Sequence, residues 1–259
     1  MRLKDKVAII TGGAHGMGEA EARLFAKEGA AVIIADRRAD LGEALAADIT
    51  ASQGRASFVT MDVAQEADWK RLIEKALSDY GRIDILVNNA GIQFVSPVED
   101  FPEEKWDAII AINMSSNFHA IRAALPGMKQ RGWGRIINIA SAHGLVASPY
   151  KVAYVAAKHG VVGMTKVVAL EIAETPITCN AICPGFVRTP LAEAQVKPLA
   201  DKFGISEEAA LRDHLLVKQP SRRWIEVEDI ARMALYLCGP GSGAVNGAAL
   251  SIDGGWLAA

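Results

Sequence analysis

Seven short runs rich in Val, Ile and Ala recur along the chain: "KVAIIT", "AAVIIAD", "SFVTMDV", "IDILVNNAG", "RIINIAS", "ITCNAICPG" and "ALSIDGG". Most are apolar nearly throughout, the pattern of strands covered on both faces. Longer stretches of helical period separate them; in residues 66–79, Trp69, Leu72, Ile73, Ala76 and Leu77 fall three or four apart or side by side on one face. This alternation predicts repeated β-α units, and so an α/β fold of the doubly wound, Rossmann type: a parallel sheet with helices on both faces. No internal repeat or low-complexity linker interrupts it, so residues 1–259 are expected to form a single domain. Residues 190–220, between the sixth and seventh runs, break the regularity. Their mixed composition suits a helical flap over a site, with Leu191, Val196, Leu199, Leu215 and Leu216 as its apolar positions.

Composition narrows the class. Of 259 residues, 51% are hydrophobic and 22% charged, the balance of a soluble globular protein with a sizeable core. No apolar stretch reaches the roughly 18 residues that span a bilayer. The opening "MRLKDKVAIITGG" lacks the build of a secretory signal, so a cytoplasmic location is expected and membrane association is not. Net charge is −2 with no Lys/Arg block, which leaves nucleic acid without an electrostatic footprint. Three cysteines, an odd count without a CxxC pair, argue against a disulfide framework or a metal site.

Candidate chemistry begins at "TGGAHGMG" (11–18), which follows the first strand and opens a helix. Gly12, Gly16 and Gly18 there permit a tight turn and close approach of backbone N–H groups to a pyrophosphate. A tight turn without a ligand is the plainer reading of three glycines alone. Asp36, however, ends the second strand about twenty residues on, where a carboxylate accepts hydrogen bonds from both ribose hydroxyls. A dinucleotide is therefore the better reading. Asp36 also favours NAD over NADP, because it would repel a 2′-phosphate; Arg37 and Arg38 pull the other way.

With "NNAG" (88–91), Asn113, Ser141, the Y-x-x-x-K of Tyr154 and Lys158, and "PG" (184–185) before Thr189, the chain resembles the short-chain dehydrogenase/reductases over essentially its whole length. The resemblance implies a seven-stranded Rossmann-type fold, a nicotinamide cofactor and a homotetramer. By position it implies cofactor contacts from the glycine turn with Met17, from Asp62 and Val63, from Asn89, Ala90 and Gly91, from Tyr154 and Lys158, and from Pro184, Gly185, Val187 and Thr189. It also implies a catalytic set of Asn113, Ser141, Tyr154 and Lys158. Residues four apart on a helix share a face, so Tyr154 and Lys158 can meet one substrate carbinol. A free tyrosine titrates near 10, and the ammonium of Lys158 together with a positive nicotinamide is expected to favour tyrosinate. Ser141 would bond the same oxygen, and Asn113 would hold a water linking Lys158 to solvent.

Four further polar residues surround this constellation in sequence: Gln93, His143, Lys151 and Gln195. Each alone has a plain explanation as loop or surface. Together they supply the donors that a small carboxylate requires, with Lys151 bearing the charge and His143 neutral or protonated. Longer strings resemble the family members that oxidise (R)-3-hydroxybutyrate to acetoacetate with NAD, which implies substrate contacts from these four residues and from Ser141, Tyr154 and Trp256. His15 in the glycine turn departs from that pattern. Another small hydroxy acid, a sugar, an alcohol or an acyl-thioester is the alternative substrate, and a non-catalytic cofactor-binding scaffold the alternative class.

Overall fold

The structure is a computed structural model that describes residues 1–258, the side chain of Leu191 excepted. The seven apolar runs form β1 (Val7–Thr11), β2 (Ala31–Asp36), β3 (Arg55–Thr60), β4 (Ile85–Asn88), β5 (Gly134–Ile139), β6 (Ile177–Pro184) and β7 (Ala249–Ile252). They pair in parallel in the order β3-β2-β1-β4-β5-β6-β7. The chain therefore winds outward in one direction from β1 and then returns to wind outward from β4. Between these two strands a crevice opens at the carboxyl ends, the usual ligand position in such sheets.

Strand residues of opposite parity serve opposite faces. Ala8, Ile10, Val32 and Ile34 pack against α1 (Gly16–Lys27), α2 (Ala39–Ala51) and, with Ile137 and Ile182, against the last long helix. Val7, Ile9, Ala31 and Ile33 join Trp69, Leu72 and Ala76 of α3 (Glu66–Tyr80) on the other side. Each such side chain contributes roughly 1.5–3 kcal/mol by burial, which explains why the strands need not alternate.

The helix that follows β4 is interrupted. α4 (Glu103–Ile110) runs through a π-helical turn, Ala111–Ser115, into α5 (Ser116–Arg131), and Asn113 sits in that turn. α6 (Val152–Glu171) is tied to the sheet by a polar ladder: Asn88 Nδ2 donates to Asn138 Oδ1 at 2.8 Å, and Asn138 Nδ2 to Thr165 Oγ1 at 2.9 Å. These bonds in an otherwise apolar interior fix the rotation of α6 and hence of its Tyr154 and Lys158.

The expected flap is helical: α7 (Pro190–Glu193), α8 (Val196–Phe203), α9 (Glu207–Ala210) and a π-helical turn at Leu211–Leu215, before α10 (Val227–Cys238). Leu215 and Leu216 are buried, Val196 and Leu199 half-buried. The Leu191 side chain lies outside the described residues. No helix among the described residues is long and apolar enough to cross a membrane.

Candidate active site

The turn between β1 and α1 is built for close backbone approach. A Cβ on Gly18 would lie 2.3 Å from the Gly12 carbonyl oxygen and 2.7 Å from Asn89 Nδ2, and Gly12 and Gly16 have φ of +60° and +58°. Asn89 Nδ2 bridges the Thr11 and Gly12 carbonyls at 2.9 and 3.0 Å, while Thr11 Oγ1 receives the Asn89 and Ala90 N–H groups at 3.0 and 3.2 Å. The ends of β1 and β4 are thereby locked beside the N-terminus of α1. His15 caps that helix without a side-chain bond, which leaves its first N–H groups to be met by another acceptor such as an anion. This fits a pyrophosphate.

Asp36 lies buried beneath the same turn. Its Oδ2 accepts the Ala14 N–H at 3.2 Å and its Oδ1 the Arg38 N–H at 3.0 Å. Burial pushes its carboxyl up, but the bonds from His15, Arg38 and Ala14 outweigh it and hold the group below its ordinary value. His15 Nδ1 stands 3.7 Å from Asp36 Oδ2. Arg37 leans toward Asp62 at 4.0 Å, so the two residues expected to compete over a 2′-phosphate are not equivalent free cations. Val63 belongs to the core through its side chain, and its carbonyl accepts from Trp69 Nε1 at 2.9 Å, which leaves it little to offer a ligand beyond backbone.

At the sheet's carboxyl end a cavity of about 450 Å³ gathers most of the other expected residues. Met17, Asn89, Gly91, Pro184, Gly185, Val187 and Thr189 line it together with Ser141, Tyr154 and Lys158, as do Gln93, His143, Lys151, Gln195 and Trp256. Thr189 approaches the glycine turn, its Cγ2 lying 3.6 Å from where a Gly16 Cβ would be. Asp36, at the end of β2, and Asp62, just after β3, stand outside this cavity.

Lys158 is buried and donates from Nζ to the Ile139 carbonyl at 2.7 Å; burial pushes its ammonium down to about 8. Its nitrogen lies 5.6 Å from the centre of the Tyr154 ring. Burial holds the Tyr154 phenol above the ordinary range, with a hydrogen bond from Ser141 working against it. Asn113 Oδ1 accepts the Ile92 N–H and its Nδ2 donates to the Ile92 carbonyl, both at 2.8 Å. Its side chain thus clamps the loop after β4 where that loop lines the cavity.

His143 is neutral. Burial, and after it the charges of Lys151, Lys218 and His159, push it down to about 4. Its Nε2 lies 2.7 Å from Ser148 Oγ, its ring 5.0 Å from Trp256 and 5.9 Å from Tyr154. Trp256 stacks on Phe186 at 5.7 Å, and Lys151 lies 5.7 Å over Phe186. Burial lowers the Lys151 ammonium, with Lys218 adding to the effect. The sequence reading missed Phe186, Ser148 and Lys218. Phe186 sits directly after "PG" and is recoverable from its position; Ser148 and Lys218 carry no local pattern and meet only in three dimensions.

A family description, short chain dehydrogenase, matches residues 6–199. A protein named D-beta-hydroxybutyrate dehydrogenase from Rhizobium meliloti (strain 1021) is 49% identical over 255 residues, covering 98% of this chain and 99% of that protein. One of the same name from Cupriavidus necator is 50% identical over 257 residues, covering 99% of each. Among solved structures, a variant actinorhodin polyketide ketoreductase with NADPH superimposes with a TM-score of 0.91 at 35% identity, covering 97% of each chain. The chain thus belongs to the short-chain dehydrogenase family.

Proposed function

We propose that this nicotinamide-dependent oxidoreductase catalyses the reversible oxidation of (R)-3-hydroxybutyrate to acetoacetate with NAD. The carrying observation is Lys151: a half-buried ammonium, weakened by burial, set beside an aromatic stack in the cavity that also holds Tyr154 and Ser141. A cation so placed is stabilised by an anionic partner. The names of the two relatives near 50% identity point the same way.

In this reading Lys151, Gln93 and Gln195 hold the carboxylate, supported by His143, and Trp256 closes over the methyl end. Tyr154 takes the hydroxyl proton, and Ser141 hydrogen-bonds the same oxygen. A nicotinamide held here would supply the hydride acceptor and, while cationic, a charge that favours tyrosinate. Lys158, mostly protonated at neutral pH, orients the ribose and passes the proton outward past Asn113. Holding the carboxylate at one end and the hydroxyl at the other leaves a single hydrogen facing the nicotinamide, which selects the (R) acid. Asp36 receives the adenosine ribose and disfavours a 2′-phosphate. Exposed Phe118, Val167 and Leu170 on α5 and α6 support assembly as a homotetramer, which a sizing column checks.

Reduced-nicotinamide absorbance tests the reading, with NAD or NADP offered against (R)- and (S)-3-hydroxybutyrate and a panel of uncharged alcohols. Turnover of the (R) acid with NAD is expected. Faster turnover of an uncharged alcohol would sink the substrate, and preference for NADP would sink the cofactor.

A further inference from the structure

A chain of polar contacts leaves the cavity at His143 and ends outside it. Lys218, on the segment that returns from the flap, donates from Nζ to Ser148 Oγ at 2.6 Å. Ser148 Oγ lies 2.7 Å from His143 Nε2. On the other side of the ring, His143 Nδ1 is 3.5 Å from Ser141 Oγ, which already accepts the His143 backbone N–H at 3.1 Å. Neither Ser148 nor Lys218 lines the cavity. We propose that Lys218 and Ser148 are positioning residues that fix the His143 tautomer, placing its one ring proton on Nδ1 so that the hydroxyl proton of Ser141 stays available for the reacting oxygen.

The donors and acceptors favour one direction. An ammonium only donates, so Ser148 Oγ accepts from Lys218. A hydroxyl polarised in this way becomes a better donor, and the acceptor at 2.7 Å is Nε2. The groups facing the ring are Lys151 just before α6 and Tyr154 and His159 within it, with Lys218 and the Trp256 ring opposite, and the cationic ones oppose a second ring proton. A neutral ring with Nε2 accepting has its proton on Nδ1, directed at Ser141 Oγ. Ser141 then accepts twice and keeps its own proton, which meets Tyr154 in the free protein, for the reacting oxygen once a substrate is bound. In the other tautomer Nδ1 is an acceptor and competes for that proton.

Lys218 is exposed, but the backbone beside it is held. Gln219 is buried, its Oε1 accepting the Phe186 N–H and its Nε2 donating to the Arg223 carbonyl at 2.8 Å. The foot of the flap is thereby joined to the substrate loop.

The catalytic part of this inference rests on the reading of Ser141 given above; the tautomer does not. Histidine labelled with ¹⁵N in the whole enzyme at neutral pH reads the protonated ring nitrogen directly. The expected result is Nδ1–H in the wild type, a mixed tautomer in Lys218→Met and Ser148→Ala, and recovery in Lys218→Arg. In parallel, kcat on the alcohol the wild type turns over falls about tenfold in either variant, the size of one misdirected hydrogen bond, with the KM for the nicotinamide cofactor unchanged. The double variant is no slower than Ser148→Ala, because Lys218 acts through Ser148. An Nε2–H wild type, or a tautomer untouched by both substitutions, overturns the proposal. So do additive losses confined to the KM for the acid, which would put Lys218 directly on the carboxylate. If hydroxybutyrate is not the substrate, the labelled-histidine result stands by itself.

Discussion

The two ends of the site are assembled differently. The dinucleotide end is a backbone structure: a glycine turn, the ends of β1, β2 and β4, and short side chains, Thr11, Asp36 and Asn89, that bond mainly to main-chain groups. The substrate end is a side-chain structure, drawn from the segment after β5, from α6, from the flap and from the last turn of the chain, with bonds such as Lys218 to Ser148 spanning 70 residues. Damage at the first end is expected to fall on binding of the dinucleotide, and damage at the second on turnover and on the acid.

The largest expected effect tests whether the second end carries the chemistry. Tyr154→Phe removes the phenol proposed to take the proton while keeping the ring that packs near His143 at 5.9 Å. Turnover should fall by about 10² to 10⁴, the range for a lost general base, with NAD affinity retained. Normal turnover would mean that a group other than Tyr154 takes the proton.

Lys151→Ala sharpens the contrast further. A lost contact between carboxylate and ammonium is worth about 1.5–3 kcal/mol, so the KM for the acid should rise roughly tenfold to 150-fold while that for NAD barely moves. Equal damage to both constants would mean that Lys151 supports the cavity as a whole. Asp36→Ala makes the mirror-image test at the other end: NAD should weaken by about tenfold and discrimination against NADP should relax, with the KM for the acid unchanged. An unaltered cofactor preference would reduce Asp36 to a bond holding Ala14 and Arg38.

The same division decides what the sequence made legible. The strands are recognisable because most are contiguous apolar runs, and the two parities of central strands such as β1 and β2 find two helical layers. The glycine turn, Asp36, and the pair Tyr154 and Lys158 are equally local: a spacing along one strand end or one helix face is already a geometry. Gln93, His143, Lys151 and Gln195 are readable as residue types, yet nothing in their spacing says that His143 turns its Nε2 to Ser148 and away from open solvent. The clamp of Asn113 on Ile92 follows from a π-helical turn that no periodicity announces. Tyr154 carries the same lesson in its chemistry. Its spacing from Lys158 is legible, whereas the burial that raises its phenol in the free protein is something a sequence does not display.

The smallest effect concerns stability alone and belongs to the dinucleotide end. α1, whose N-terminus faces the glycine turn, buries Glu21 completely, and neither carboxylate oxygen has a hydrogen-bond partner among the described residues. Burial pushes this carboxyl up to about 8. An unfolded glutamate titrates near 4.3, so between that pH and about 8 the native state keeps a proton that the unfolded state has lost. The contribution of the protonated group is fully present below pH ~4.3 and is lost as pH rises through about 8, above which it levels off. Glu21→Gln, neutral at every pH and of nearly the same shape, should remove this dependence. Melting temperatures at pH 5 and pH 8 are the measurement, with the wild type falling by about 5 °C more than the variant over that interval. Parallel curves would mean that α1 shifts to hydrate or pair the carboxylate, and the rigidity ascribed to the glycine turn would then have to come from β1 and β4 alone.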